Sequence, residues 1–217
     1  METTAKYNGQ AAQDYFVLKC LNYKRNGIFV EIGSNDPIKI NNSYPLEKQY
    51  GWRGLMVEYD NKYLPSYKIH RPNSVHIIQD ATTIDYKSVF NINNFPKNID
   101  YLQIDLEASN GSTINTLENL NNNIMGEYKF AVVTFEHDIY GGDHHNTRNR
   151  SREIFTNHGY VRVFSDVDNG SDIYPDKYPF EDWYVHPELV NMNYINKIIN
   201  TTESIRWGDI IKILDSN

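Results

Sequence analysis

The chain has 217 residues, 40% of them hydrophobic and 23% charged, which is enough for one full core and ordinary for a soluble globular protein. A formal net charge of -7, with no basic stripe, argues against a nucleic-acid partner, because phosphate-backbone affinity rests on clustered Lys and Arg. No apolar run approaches the roughly 20 residues of a membrane span, the opening METTAKYNGQ carries no apolar signal core, and the lone Cys20 cannot form an internal disulfide, so a reducing, cytoplasmic setting and no membrane partner are expected.

In chain order, AAQDYFVLKCLNYKRNG places apolar residues near helical spacing and ends in Gly27, so an N-terminal helix is expected over 10–26. GIFVEIG follows as a first strand near 28–33, and NNSYPLEKQYGWRG offers polar caps, an early proline and a glycine stop for a short helix. GLMVEYD (54–60), SVHIIQD (74–80), IDYLQIDLE (99–107) and FAVVTFEHD (130–138) are four further apolar runs that end in acids. Helix-compatible pieces lie between them, notably 112–122 and 150–159. Continuous apolar strands alternating with helices predict an α/β fold, a mostly parallel sheet with helices on both faces. YVRVFSDV (160–167) and EDWYVHP (181–187) are expected to pair as the last two strands, joined by the loop-like DNGSDIYPDKYPF. A single domain is expected, with its core over 27–187 and a helical tail over 188–217.

The strand ends carry the functional signal. Glu31, Glu58 with Asp60, Asp80, Asp105 with Glu107, and Glu136 with Asp138 would share the C-terminal edge of an open parallel sheet, where ligands bind. Acids also mark ordinary strand exits, since Asp favours turns, but five in register suit a ligand with hydroxyls, an amine or a positive charge. After the first strand a dinucleotide needs a Gly-x-Gly-x-x-Gly turn against its pyrophosphate. Here only Gly33 is present, followed by Ser34, Asn35, Asp36 and Pro37, and Asp36 would repel a pyrophosphate. S-adenosylmethionine (SAM) has no phosphate and carries a sulfonium and an amine. Glu58, 25 positions past Gly33, stands where a carboxylate grips ribose hydroxyls in such folds. SAM is therefore the expected cofactor.

Several of these stretches together resemble FkbM-type methyltransferases: VEIGSNDP followed by NNSYPLEKQYGWRGLMVE, the upstream QDYFVL, IDYLQIDLE, VVTFEHD, and GYVRV with EDWYV, in that order over about residues 10–187. The resemblance implies a seven-stranded Rossmann-like SAM-methyltransferase fold and O-methyl transfer to a hydroxyl of a sugar, glycan or similar small molecule. It also implies that Glu31, Gly33 and Asn35 shape the methionine pocket, that Glu58 holds the ribose, and that Asp80 and Ala81 face the adenine, with Ser34, Asp36 and Tyr59 as further candidate cofactor-binding residues. The chain departs from the family pattern at Pro37 and at Ala108, each in place of a glycine. A weakened, methyltransferase-like binding module is the alternative these departures raise.

Methyl transfer to a hydroxyl needs in-line alignment and a base for the hydroxyl proton. On a strand Asp105 and Glu107 would point the same way, the next strand end would bring His137 alongside, and these three are the candidate catalytic residues, with His137 the natural base. The same Asp, Glu and His residues could hold a divalent cation, a reading not favoured because no dedicated ion loop accompanies them. Asp143, His144 and His145 lack metal-ligand spacing and read instead as a mobile loop. Trp183 and Tyr184 would either stack on an acceptor or pack in the core.

Overall fold

A computed structural model describes residues 7–170, 178–201 and 204–217. Seven strands form one sheet: β1 (Ile28–Ile32), β2 (Arg53–Glu58), β3 (Val75–Ile78), β4 (Asn98–Ile104), β5 (Lys129–Glu136), β6 (Val161–Asp168) and β7 (Pro179–Val185). Their order is β3-β2-β1-β4-β5-β7-β6. All neighbours are parallel except β7, which runs antiparallel to both β5 and β6. The chain thus builds outward from β1 in one direction and returns to build from β4 in the other. β1 and β4 lie side by side, Ile32 against Ile104, and the crevice at their C-terminal ends is the topological switch point where such sheets bind ligands.

The apolar runs are continuous because both faces of the sheet are covered. On one face α1 (Gln13–Cys20), α2 (Ser43–Tyr50), α3 (Leu64–His70), α7 (Met192–Ile198) and α8 (Trp207–Ser216) pack through Phe16, Leu46, Tyr67, Ile195 and Leu214 onto Phe29, Met56, Tyr101 and Val132. On the other face α4 (Tyr86–Ile92), α5 (Ser112–Asn123) and α6 (His145–Asn157) pack through Phe90, Leu117 and Phe155 onto Val30, Leu55, Leu102 and Val133. Trp183 and Tyr184 alternate between these two cores and are fully buried, so both are packing residues rather than an acceptor platform.

The strands stop earlier than the sequence suggests. β4 ends at Ile104 and β5 at Glu136, so Asp105, Glu107, His137 and Asp138 occupy the loops beyond. The alternation expected to align Asp105 with Glu107 therefore does not govern them. The N-terminal helix is also shorter than 10–26, because Asn22, Tyr23 and Asn26 take left-handed φ angles of 49°, 53° and 55° and turn the chain out of the helix. The C-terminal tail divides into α7 and α8. Of the expected β6–β7 loop, residues 171–177 lie outside the described residues. No helix among the described residues is long and apolar enough to cross a membrane.

Candidate active site

Gly33 fixes the floor of the crevice. Its φ is +88°, and a Cβ there would stand 1.8 Å from the Asp105 carbonyl oxygen. Only glycine permits this close approach of the β1 and β4 exits, which the Asp105 N–H to Ile32 carbonyl bond of 3.0 Å completes. The next turn is held by side chains. The Asp36 carboxylate accepts from the N–H groups of Ile38 and Lys39, both at 2.8 Å, and Asn35 takes a left-handed φ of 48°. Those backbone bonds hold the Asp36 carboxyl below its usual range. Pro37 fits because the carboxylate caps the two residues after it and asks no N–H of residue 37.

Glu31 is fully buried, and burial pushes its pKa up. It accepts from Asn41 Nδ2 at 3.0 Å and the Ser43 N–H at 3.2 Å, so it shapes the site by holding the 41–43 segment. Fully buried Arg71 completes that frame. Its guanidinium donates to Glu47 at 2.8 Å, Asn41 Oδ1 at 2.9 Å, Ser43 Oγ at 2.6 Å and the Pro37 carbonyl at 3.3 Å. Nothing in its sequence context announces this role.

Two cavities open at the switch point and share Glu58 and Leu106. The larger, about 640 Å³, is lined by Gly33, Ser34, Asn35, Asp36, Asn41 and Asp105 among others. The smaller, about 360 Å³, is lined by Tyr59, Asp80, Ala81, Glu107 and Asn110 among others. Both volumes lie in the range of small-molecule sites. Glu58 stands between them and accepts the N–H groups of Asn35, Tyr59 and Asp60 at 2.8, 2.8 and 2.9 Å. Asp80 accepts from the Thr82 N–H and hydroxyl at 2.9 and 2.7 Å, which lowers its pKa, and Glu107 is likewise lowered by its bonds at Ser109. The fold thus brings Gly33, Ser34, Asn35, Asp36, Glu58, Tyr59, Asp80, Ala81, Asp105 and Glu107 around one continuous crevice.

A third cavity, about 290 Å³, adjoins on the β5–β7 side and is lined by Gln10, Glu136, Tyr140, Asn169, Tyr178 and Phe180. Asp105, which lines the larger cavity, acts on the carboxyls toward this side. Burial, and then the Asp105 charge, push the Glu136 carboxyl far above the usual carboxylate range. The same two causes push Glu181 up to about 8, and burial with the Asp105 charge raises Asp138. Like charges this close share protons rather than ionise together. Burial and the neighbouring Asp105 charge thus both favour the neutral form of Glu136.

The structure does not bring His137 to this group. Its ring is fully buried and faces away to Asp166 at 3.4 Å and Asp182 at 3.7 Å, and it lines none of the three cavities. Burial disfavours the charged ring, yet the two carboxylates outweigh it and raise the pKa. The His137 ring therefore sits beside Asp166 and Asp182 and away from the cavities, not alongside Asp105 and Glu107 where it was expected to act as base. His137, Asp166 and Asp182 have cation-ligand spacing, but the carboxylates are already occupied. Arg148 donates to both Asp166 oxygens at 3.1 Å, and Arg152 reaches Asp182 at 2.6 and 2.9 Å and Asp166 at 2.9 Å. The donor set fits an ion-pair network and not a metal ion. His145 instead lies 3.3 Å from Arg148 at the start of α6.

No protein-family model matches the sequence, and no curated protein matches it. Among solved structures, a candidate rRNA-methylase from Clostridium thermocellum aligns with a TM-score of 0.50 at 11% identity, covering 82% of this chain and 97% of that one. A TehB-like SAM-dependent methyltransferase from Corynebacterium glutamicum aligns at 0.47 and 10% identity, covering 82% of this chain and 88% of that one. Fibrillarin from Aeropyrum pernix, in complex with natively bound SAM, aligns at 0.43 and 14% identity, covering 75% and 67% respectively. At such identities the likeness carries the architecture alone. The chain has the seven-stranded, mostly parallel Rossmann-like fold of SAM-dependent methyltransferases.

Proposed function

We propose that the chain is a SAM-dependent methyltransferase that transfers a methyl group to a hydroxyl of a small molecule, most directly a sugar or glycan of the kind FkbM-type enzymes are expected to use. The observation that carries this reading is the pair of joined cavities at the β1–β4 switch point, walled by one strained glycine turn and by Asp36, Glu58, Asp60, Asp80, Asp105 and Glu107 against only Lys39 and Lys62. Such a wall repels a pyrophosphate and attracts a sulfonium and an ammonium. The methionine end occupies the larger cavity beside Asp36 and Asp105, and the adenosine occupies the smaller beside Asp80 and Ala81. A carboxylate offers about four acceptor positions. Backbone N–H groups take three at Glu58, leaving about one for a ribose hydroxyl.

The acceptor approaches from the third cavity. SAM held in the two joined cavities would supply the methyl group for in-line displacement by the acceptor oxygen, with the carbon–sulfur electron pair going to sulfur and S-adenosylhomocysteine as the leaving group. Asp105, which lines the larger cavity, takes the hydroxyl proton, and Glu136, favoured in its neutral form, keeps the pair from holding two negative charges. An acid-walled site on a chain of net charge -7 favours a neutral acceptor over a polyanion. The weakened-module alternative loses part of its motive, because the Asp36 cap accommodates Pro37.

Transfer of radiolabelled methyl from SAM to a panel of monosaccharides and oligosaccharides tests the reading. Asp105→Asn is expected to lower kcat by about 10²–10⁴, the usual share of a positioned base. Transfer by Asp105→Asn at the wild-type rate would remove Asp105 from the chemistry, and transfer to RNA but to no sugar would reassign the acceptor.

A further inference from the structure

The larger and third cavities have one lining residue in common, Gln10. It belongs to a turn that precedes α1, and that turn is anchored on both sides of it. Asp14 accepts the N–H groups of Asn8 at 2.7 Å and Gly9 at 3.2 Å. Asn8 Nδ2 donates across the crevice to the carbonyls of Ile38 at 2.7 Å and Asn41 at 2.9 Å. Gly9 packs so closely on Asn42 that a Cβ would stand 1.9 Å from its Oδ1. Beyond Gln10, the Ala11 N–H donates to Gln13 Oε1 at 2.8 Å, and Gln13 donates in turn to buried Glu181. Amid this bonding the Gln10 amide makes no hydrogen bond among the described residues, and the residue is exposed. A turn bonded on both sides thus presents one unengaged amide where the two cavities meet, with Asp105 lining one and Glu136 the other.

We infer that Gln10, as the residue lining both cavities, is the gate between them: its side chain limits the size of the group that SAM's sulfur can extend from the larger cavity toward the third, and its amide hydrogen-bonds the acceptor as it enters. The inference rests on the cofactor reading above, since it places the sulfur in the larger cavity. It makes Gln10 a determinant of which transferable group and which acceptor the site admits.

The test needs no acceptor. S-adenosylhomocysteine and its S-methyl, S-allyl and S-benzyl sulfonium derivatives are titrated into wild-type protein and Gln10→Ala by calorimetry, with melting curves to confirm that both are folded. S-adenosylhomocysteine is expected to bind the two proteins within about threefold. Wild type is expected to lose tenfold or more in affinity from S-methyl to S-benzyl, and Gln10→Ala to lose threefold or less. Gln10→Glu, of nearly the same size, should keep the wild-type size discrimination. An identical methyl-to-benzyl ratio in wild type and Gln10→Ala, with S-adenosylhomocysteine bound by both, overturns the gate and leaves the cofactor reading standing. Failure of wild type to bind S-adenosylhomocysteine at all overturns both.

Discussion

At the level of single residues, the site depends on a few atoms with no freedom to move. Gly33→Ala forces a left-handed φ on an alanine and drives its Cβ into backbone, at the Asp105 carbonyl. A strained residue of this kind costs roughly 1–3 kcal/mol, so the variant is expected to melt lower and to bind S-adenosylhomocysteine at least tenfold more weakly. Retained affinity at an unchanged melting temperature would show that the β1–β4 approach is not needed. Pro37 makes the opposite case. Because Asp36 caps the turn, Pro37→Gly is expected to leave affinity within a few-fold, and a gain of tenfold or more, about 1.4 kcal/mol, would show that the proline impairs the pocket. That Gly33, Asp36, Glu58 and Asp105 lie at the sheet's C-terminal edge was legible because their signal is local, an acid or a glycine at the end of an apolar run. Sequence reasoning missed Arg71 and Gln13, whose partners lie in other segments, from Pro37 to Glu47 for Arg71 and at Glu181 for Gln13, and it missed Gln10, which only the packed turn brings to the cavities. It misplaced His137 because a strand end says where a backbone leaves the sheet and not which way the next ring turns.

At the level of elements, two buried ionic assemblies hold loops to the sheet. Arg71 ties the Pro37–Ser43 segment to α2, and Arg152 with Arg148 ties α6 to the ends of β6 and β7 through Asp166 and Asp182. Removing one partner of a buried pair leaves a charge without compensation and costs about 3–5 kcal/mol. Arg71→Ala is therefore expected to destabilise the fold by that order and to raise amide exchange over residues 37–43. Exchange unchanged in that segment would contradict its role as the frame of the 37–43 loop. His137→Ala should also lower the melting temperature while leaving the pH–rate profile of the folded fraction in place, whereas loss of the profile's acidic limb would restore His137 as base. The elements themselves were legible, since apolar runs of strand length with glycine and acid punctuation recur seven times before the tail. Their exact ends were not, because an acid just past a strand reads like an acid within it.

For the whole molecule, the buried acids set how stability responds to pH. Asp14 is pushed up to about 6 and Glu181 to about 8, both chiefly by burial. A carboxyl raised on folding favours the protonated folded state, so its contribution is complete below its unfolded value and is lost as pH rises through the folded one. Asp166 moves the other way: burial would raise it, but His137 and the arginines hold it down at about 2, so its contribution is lost only as pH falls below about 4. Ligand-free protein is therefore expected to be most stable near pH 4, where these windows cross, and to melt several degrees lower at pH 8.5, with Glu181→Gln flattening the decline. A melting temperature that rises steadily from pH 5 to 8.5 would contradict the buried-acid assignment. The acids that line the two cavities, Asp36, Glu58, Asp60, Asp80, Asp105 and Glu107, are the ones that make a cationic cofactor welcome, and that is the central claim. Parallel calorimetric titration with S-adenosylhomocysteine and NAD⁺ tests it most directly. S-adenosylhomocysteine is expected to bind one-to-one and NAD⁺ to give no heat of binding, with Glu58→Ala weakening the former by roughly 1.5–3 kcal/mol, the scale of a charged hydrogen bond. Binding of NAD⁺ without S-adenosylhomocysteine, or unchanged affinity in folded Glu58→Ala, would contradict it.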